Sequence, residues 1–178
     1  WPVTLAALVL VFAAMRAAPR GAGRFGWAVG LGYFGLGLSW IVEPFFVEPE
    51  IYGWMAPFAL AGIAGGLALF WAAAFALAGR SRRPLTALVL AWTGAELLRA
   101  YVLTGFPWSL PGYVWLDTPA AQWASVIGPH GLTLATLALP ALVVGALPGR
   151  PALLRASGAT GAAALAGVLW AGGAWLTP

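Results

Sequence analysis

The chain contains no cysteine and no lysine. Without thiols there can be no disulfide, no thiolate metal site and no cysteine nucleophile. Without lysine there is no Schiff-base former and no lysine general base. Charge is scarce as well: 8% of the 178 residues are charged, against roughly 25% in an ordinary soluble domain. So few charges cannot cover the surface of a water-soluble fold. The nine basic residues are all arginine and leave a net charge of +4. They are spread along a chain that is 62% hydrophobic and form no basic stripe, which argues against nucleic acid as a partner. Phosphate-loop, nucleotide-binding and zinc-protease motifs are missing, as is a Gly-x-Ser-x-Gly elbow. The alternation of a transmembrane barrel is also absent. The class that remains is an all-α, polytopic membrane helix bundle.

What the chain does have is long apolar runs. About 20 apolar residues cross a hydrocarbon core of roughly 30 Å. Six stretches suit this, at residues 2–18, 25–45, 52–79, 84–103, 119–147 and 152–176, forming one transmembrane domain over 1–178. Helix is the expected state, because backbone facing lipid must satisfy its hydrogen bonds within its own segment. The linkers alternate in charge. Arg16, Arg20 and Arg24 follow the first stretch, Arg80, Arg82 and Arg83 the third, and Arg150 and Arg155 the fifth. Glu43, Glu48 and Glu50 follow the second stretch and Asp117 the fourth. The positive-inside rule puts the arginine linkers in the cytoplasm and both ends of the segment outside. The chain opens on Trp1 within an apolar run, as a piece of a longer protein would. A secretory signal fits poorly, since the basic residues follow the apolar run. Gly26 with Gly30, and Gly62 with Gly66, have small-xxx-small spacing, which suits close helix packing or, as the minor alternative, dimer formation.

Few residues offer chemistry. Glu96 and Arg99 lie inside the fourth apolar stretch at i, i+3 spacing, on one helix face where they can pair. Charges inside a membrane helix face the bundle interior or water. They therefore serve either as a polar anchor near a substrate path or as a structural ion pair. Residues 103–115, Leu-Thr-Gly-Phe-Pro-Trp-Ser-Leu-Pro-Gly-Tyr-Val-Trp, contain two prolines and two glycines that should stop the helix. Phe106, Trp108, Tyr113 and Trp115 suit the headgroup level, as an aromatic belt or as a lipid-gripping re-entrant turn. His130 is alone, which is poor evidence for a metal. Glu43, Glu48 and Glu50 share a loop with Pro44 and Pro49 and read as a solvated face. No residue set is catalytic, and neither metal nor cofactor is expected.

Several of these residues carry a resemblance. Residues 30–41, Gly-Leu-Gly-Tyr-Phe-Gly-Leu-Gly-Leu-Ser-Trp-Ile, resemble a glycine-rich signature helix of bacterial apolipoprotein N-acyltransferases. Residues 91–99, Ala-Trp-Thr-Gly-Ala-Glu-Leu-Leu-Arg, followed by Thr104-Gly-Phe-Pro-Trp108, resemble that family's Glu-x-x-Arg helix and Thr-Gly-Phe-Pro-Trp turn. Gly112 and Tyr113 match the Gly-Tyr that follows, and residues 128–133 are similar to a later Gly-x-x-Gly turn. The resemblance implies an enzyme of eight membrane helices, with a nitrilase-like domain outside the membrane between the last two. That enzyme takes an acyl chain from a phospholipid onto a cysteine. It then passes the chain to the α-amino group of a diacylglyceryl-modified apolipoprotein. The six stretches would correspond to the second to seventh helices, in a bacterial inner membrane. The implied Glu–Lys–Cys triad cannot lie in a chain without lysine or cysteine, so the catalytic domain is expected elsewhere and this segment alone should be inactive. Gly105 and Trp108 match the family's functionally sensitive turn and, with Phe106 and Tyr113, are the expected lipid-binding residues. Glu96 and Arg99 match its polar pair, in a supporting role. The rivals are a small transporter or channel, with the pair lining a pathway, and a non-catalytic membrane scaffold.

Overall fold

The computed structural model describes residues 1–102, 105–149 and 151–177. Leu103 and Thr104 of the turn motif, Arg150 of the last linker and Pro178 lie outside the described residues. Among the described residues the chain is mostly helical, with no strand. Six long helices form a polytopic membrane bundle: α1 (Pro2–Ala17), α2 (Ala22–Gly37), α3 (Ala56–Gly79), α4 (Pro84–Tyr101), α5 (Ala124–Ala146) and α6 (Ala152–Gly167). A proline stands in the first two positions of α1, α3 and α4. Its fixed φ and missing N–H suit a helix start.

Helix positions track the apolar stretches, with local departures. The second stretch is not one helix. After α2 ends at Gly37, residues Ser39–Phe46 continue as a 3₁₀ helix bent by 48° from it. In α5, Gly128 adopts φ 70° and ψ 170° just before Pro129 and kinks the segment. The residue before a proline is pushed out of the α region, and glycine alone tolerates this alternative freely. Beyond α6 the chain passes through a π turn, Val168–Gly172, into a last turn, Gly173–Trp175. The Trp123 indole donates to the Val168 carbonyl at 3.0 Å there. By length and apolarity, three described segments can cross a membrane: Pro49–Gly79, Pro119–Ala146 and Ala152–Trp175. Counting the bent pair at Ser39 as one span makes a fourth.

The most extensive helix contact is between α2 and α3, and its cause is the glycine spacing on α2. A Cβ placed on Gly26 would come within 2.5 Å of the Phe75 ring, and one on Gly30 within 3.0 Å of the Ala68 Cα. Gly62 and Gly66 have the same spacing, yet nothing lies within 4 Å of a Cβ at either. Gly26→Ala should therefore overpack the α2–α3 seam and cost about 1–3 kcal/mol. Gly62→Ala should be neutral or slightly stabilising, since alanine is the better helix former. Unfolding midpoints of the two variants in detergent would check this, and equal midpoints would contradict it.

The main core joins Phe12 and Met15 of α1, Phe34 of α2, Trp71 and Phe75 of α3, Leu88 and Trp92 of α4, and Leu137 and Val144 of α5. A smaller cluster gathers Trp115, Ala120, Leu132 and Leu169. Trp1 stacks on Trp115 with ring centres 5.9 Å apart, which brings the start of α1 to residues 111–115. At the other end, the Arg16 guanidinium donates to the carbonyls of Val144 (2.8 Å) and Pro148 (2.9 Å), tying the end of α1 to the end of α5.

Candidate functional site

The site lies where α4 stops and the Pro- and Gly-containing segment after it folds back over the bundle. Glu96 and Arg99 are fully buried and paired. One Glu96 carboxylate oxygen accepts from the Trp71 indole of α3, and the other from the Arg99 guanidinium. A second Arg99 nitrogen donates to the main-chain carbonyls of Phe106 and Trp108, the latter at 2.9 Å. Arg99 thus divides its donors between a carboxylate on its own helix and two carbonyls of the turn. A planar guanidinium can do this, whereas a lysine ammonium lacks the fork. Aromatic rings close over the cation, with Phe34 at 5.1 Å and Phe106 at 6.0 Å from the guanidinium carbon. A buried charge is tolerated only when it is paired and hydrogen-bonded.

The turn is shaped by its backbone. Val102 leaves α4 in an extended conformation. Gly105 follows at φ +76°, where a Cβ would stand 2.4 Å from the Ala100 carbonyl oxygen. The Phe106 N–H returns to the Arg99 carbonyl at 3.0 Å and closes the helix end. Ser109 is the one described non-glycine residue with positive φ, at 56°. Further on, the Gly112 N–H donates to the Thr133 hydroxyl at 3.2 Å, and a Cβ at Gly112 would meet the Thr133 nitrogen at 2.9 Å. The Trp115 indole donates to the Thr136 hydroxyl at 2.8 Å. The turn is therefore fastened at two points, to α4 through Arg99 and to α5 through two threonines.

The expected lipid-binding residues fall into two groups. Trp108 is 57% exposed, with the Trp40 ring edge-on to it at 6.4 Å. Tyr113 is also exposed, and its hydroxyl donates to the Pro107 carbonyl at 3.4 Å. Phe106 instead turns inward onto the main core, and Gly105 supplies the bend. His130 is half-buried and its Nδ1 finds no partner among the described residues. Sequence inspection did not single out Trp71, Phe34, Thr133 or Thr136. One available signal was position: Trp71 lies in the interior of an apolar stretch, whereas membrane tryptophans favour the interfaces.

The turn and its polar anchor fall within a stretch that matches a known family. Residues 1–142 match the family model described as the apolipoprotein N-acyltransferase N-terminal domain. The chain belongs to this family. Relatives named apolipoprotein N-acyltransferase agree. The Caulobacter vibrioides protein is 52% identical over 120 residues, covering 64% of this chain and 22% of its own length. The Rhodopseudomonas palustris protein is 44% identical over 128 residues, covering 67% and 24%. The Bradyrhizobium diazoefficiens protein is 39% identical over 156 residues, covering 78% and 29%. The chain thus spans about a quarter of the length of these apolipoprotein N-acyltransferases, on the N-terminal side of the family's architecture.

Proposed function

We propose that this segment is the part of an apolipoprotein N-acyltransferase that holds and orients its lipid substrates. The reaction moves a fatty acyl chain from a phospholipid to the N-terminal amino group of a diacylglyceryl-modified apolipoprotein. Both substrates are anchored in the bilayer, so transfer has to take place at its surface. In this reading the six helices all span a bacterial inner membrane, the arginine linkers face the cytoplasm and the turn lies at the outer face. The catalytic groups are contributed by a nitrilase-like domain outside this chain.

The observation that carries the proposal is the rigid presentation of an exposed indole. Arg99 grips the carbonyl of Trp108, while the Trp108 ring projects outward. An amphipathic ring held at the headgroup level can guide the ester end of a lipid, with Tyr113 beside it. Gly105 and Phe106 set the bend and pin it to the core, and the Glu96–Arg99 pair holds both in register. Positioning of this kind draws on the roughly 7–11 kcal/mol available to well-oriented reactions. A transporter would need the pair to face a pathway. Here the carboxylate is engaged by Trp71 and Arg99, and the guanidinium by Glu96 and two turn carbonyls.

Trp108→Ala in the full-length enzyme should lower acyl transfer about tenfold or more, a loss of about 1.4 kcal/mol of transition-state stabilisation, at an unchanged protein level. Phospholipid-to-lipoprotein transfer measured beside an immunoblot tests this. Normal turnover would sink the proposal.

A further inference from the structure

We propose that the cleft between α1 and α2 seats the upper part of one hydrocarbon chain of a phospholipid. The inference rests on the lipid-holding reading above and names where the chain goes. α1 packs mainly on α5 and α4, and α2 on α3, so the first two helices barely touch. Between them is a hollow of about 310 Å³. Leu8 and Val11 line one wall, Val29 and Gly32 the other, and the rings of Trp71 and Trp92 the floor. At one end it is bounded by Thr4, Leu36 and Pro111. Pro111 lies in the segment that carries Trp108 and Tyr113, so this end of the cleft is walled by the same segment. At the other end, Val11 and Ala28 put its limit near mid-helix.

Its size selects the occupant. From Thr4 to Val11 of α1, eight residues make seven rises, a depth of about 10 Å at 1.5 Å per rise. That is most of one leaflet, half of a core of about 30 Å. Nearly all the lining is apolar, so water and sugar find too few partners in it. A single hydrocarbon tail fits the depth, the volume and the chemistry, and the bilayer supplies it.

Gly32 gives a clean test. It lines the hollow, and a Cβ there meets nothing within 4 Å, so Gly32→Leu is expected to place a side chain in the cleft with no clash at its Cβ. Gly66→Leu on α3, also free of neighbours within 4 Å and outside the cleft, is the control. The full-length enzyme is reconstituted in phosphatidylethanolamine–phosphatidylglycerol vesicles doped with a phospholipid carrying a diazirine in the upper half of one chain. Photolabelled residues are then mapped by mass spectrometry. Label is expected on Leu8, Val11 and Val29, reduced at least fivefold by Gly32→Leu and unchanged by Gly66→Leu. Absence of label there, label that Gly32→Leu does not reduce, or label obtained only with a photoreactive diacylglyceryl peptide would overturn the proposal. Trp108→Ala is assayed for transfer in parallel. Normal transfer with a labelled cleft removes the lipid-steering role of Trp108 alone. Lost transfer with an unlabelled cleft removes the cleft alone.

Discussion

Arg99→Met in the full-length enzyme is expected to cost about 3–5 kcal/mol of stability, the usual result of stripping one partner from a buried ion pair. The cost arises at Glu96, which is fully buried and would keep only the Trp71 indole. Replacing both charges by apolar groups of similar volume leaves no uncompensated charge and should recover most of the stability. The double variant Glu96→Leu/Arg99→Met is therefore expected to unfold near the wild-type midpoint. Its turn, however, has lost the donor that held the carbonyls of Phe106 and Trp108. Stability and acyl transfer should thus separate: both fall in the single variant, and only transfer falls in the double. Denaturation midpoints in detergent, with transfer assays on the same preparations, give the comparison. A single variant as stable as wild type would show that the pair is not structural.

Gly105→Ala carries the second large effect. At φ +76° an alanine is strained by about 1–2 kcal/mol, and its Cβ would be driven to 2.4 Å from the Ala100 carbonyl oxygen. That oxygen belongs to the last turn of α4 and cannot yield as a flexible side chain would. The turn must open, and the Trp108 ring moves with it. Transfer should drop about tenfold or more, equivalent to about 1.4 kcal/mol at the transition state, with a protein level near normal because the change is confined to the end of α4. Transfer kinetics against phospholipid concentration, with an immunoblot, measure both, and unchanged kinetics would count against the turn as a positioning element.

Each of the six long helices overlaps one of the apolar runs read from the sequence, as expected where backbone must satisfy its hydrogen bonds within its own segment. Run length does not reveal where a run is broken. The kink at Gly128 follows locally from the Gly-Pro pair, whereas the π turn at Val168–Gly172 has a partner from elsewhere in the chain, the Trp123 indole. The Glu96–Arg99 pairing is legible, since i, i+3 spacing places both groups on one face. The attachment of Arg99 to two turn carbonyls is not, because a main-chain acceptor leaves no mark in residue identity. Composition likewise assigns Phe106 and Trp108 to the same aromatic belt. Only backbone geometry turns one ring inward and the other out, with Gly105 and Ser109 both at positive φ on either side.

The link from Arg16 to Val144 and Pro148 spans 128 and 132 residues of sequence. During synthesis at about 5–20 residues per second, α1 is made long before the acceptors that hold its end exist. It waits in the bilayer for roughly 6–25 s, at that same rate, while α2 and α3, adjacent in sequence, can close their glycine seam at once. The α2–α3 hairpin can therefore form before the Arg16 end of α1 is fastened to α5. Chain termination or a ribosomal pause before Val144 would leave the Arg16 end of α1 without its two carbonyl acceptors, a form that quality-control proteases should recognise.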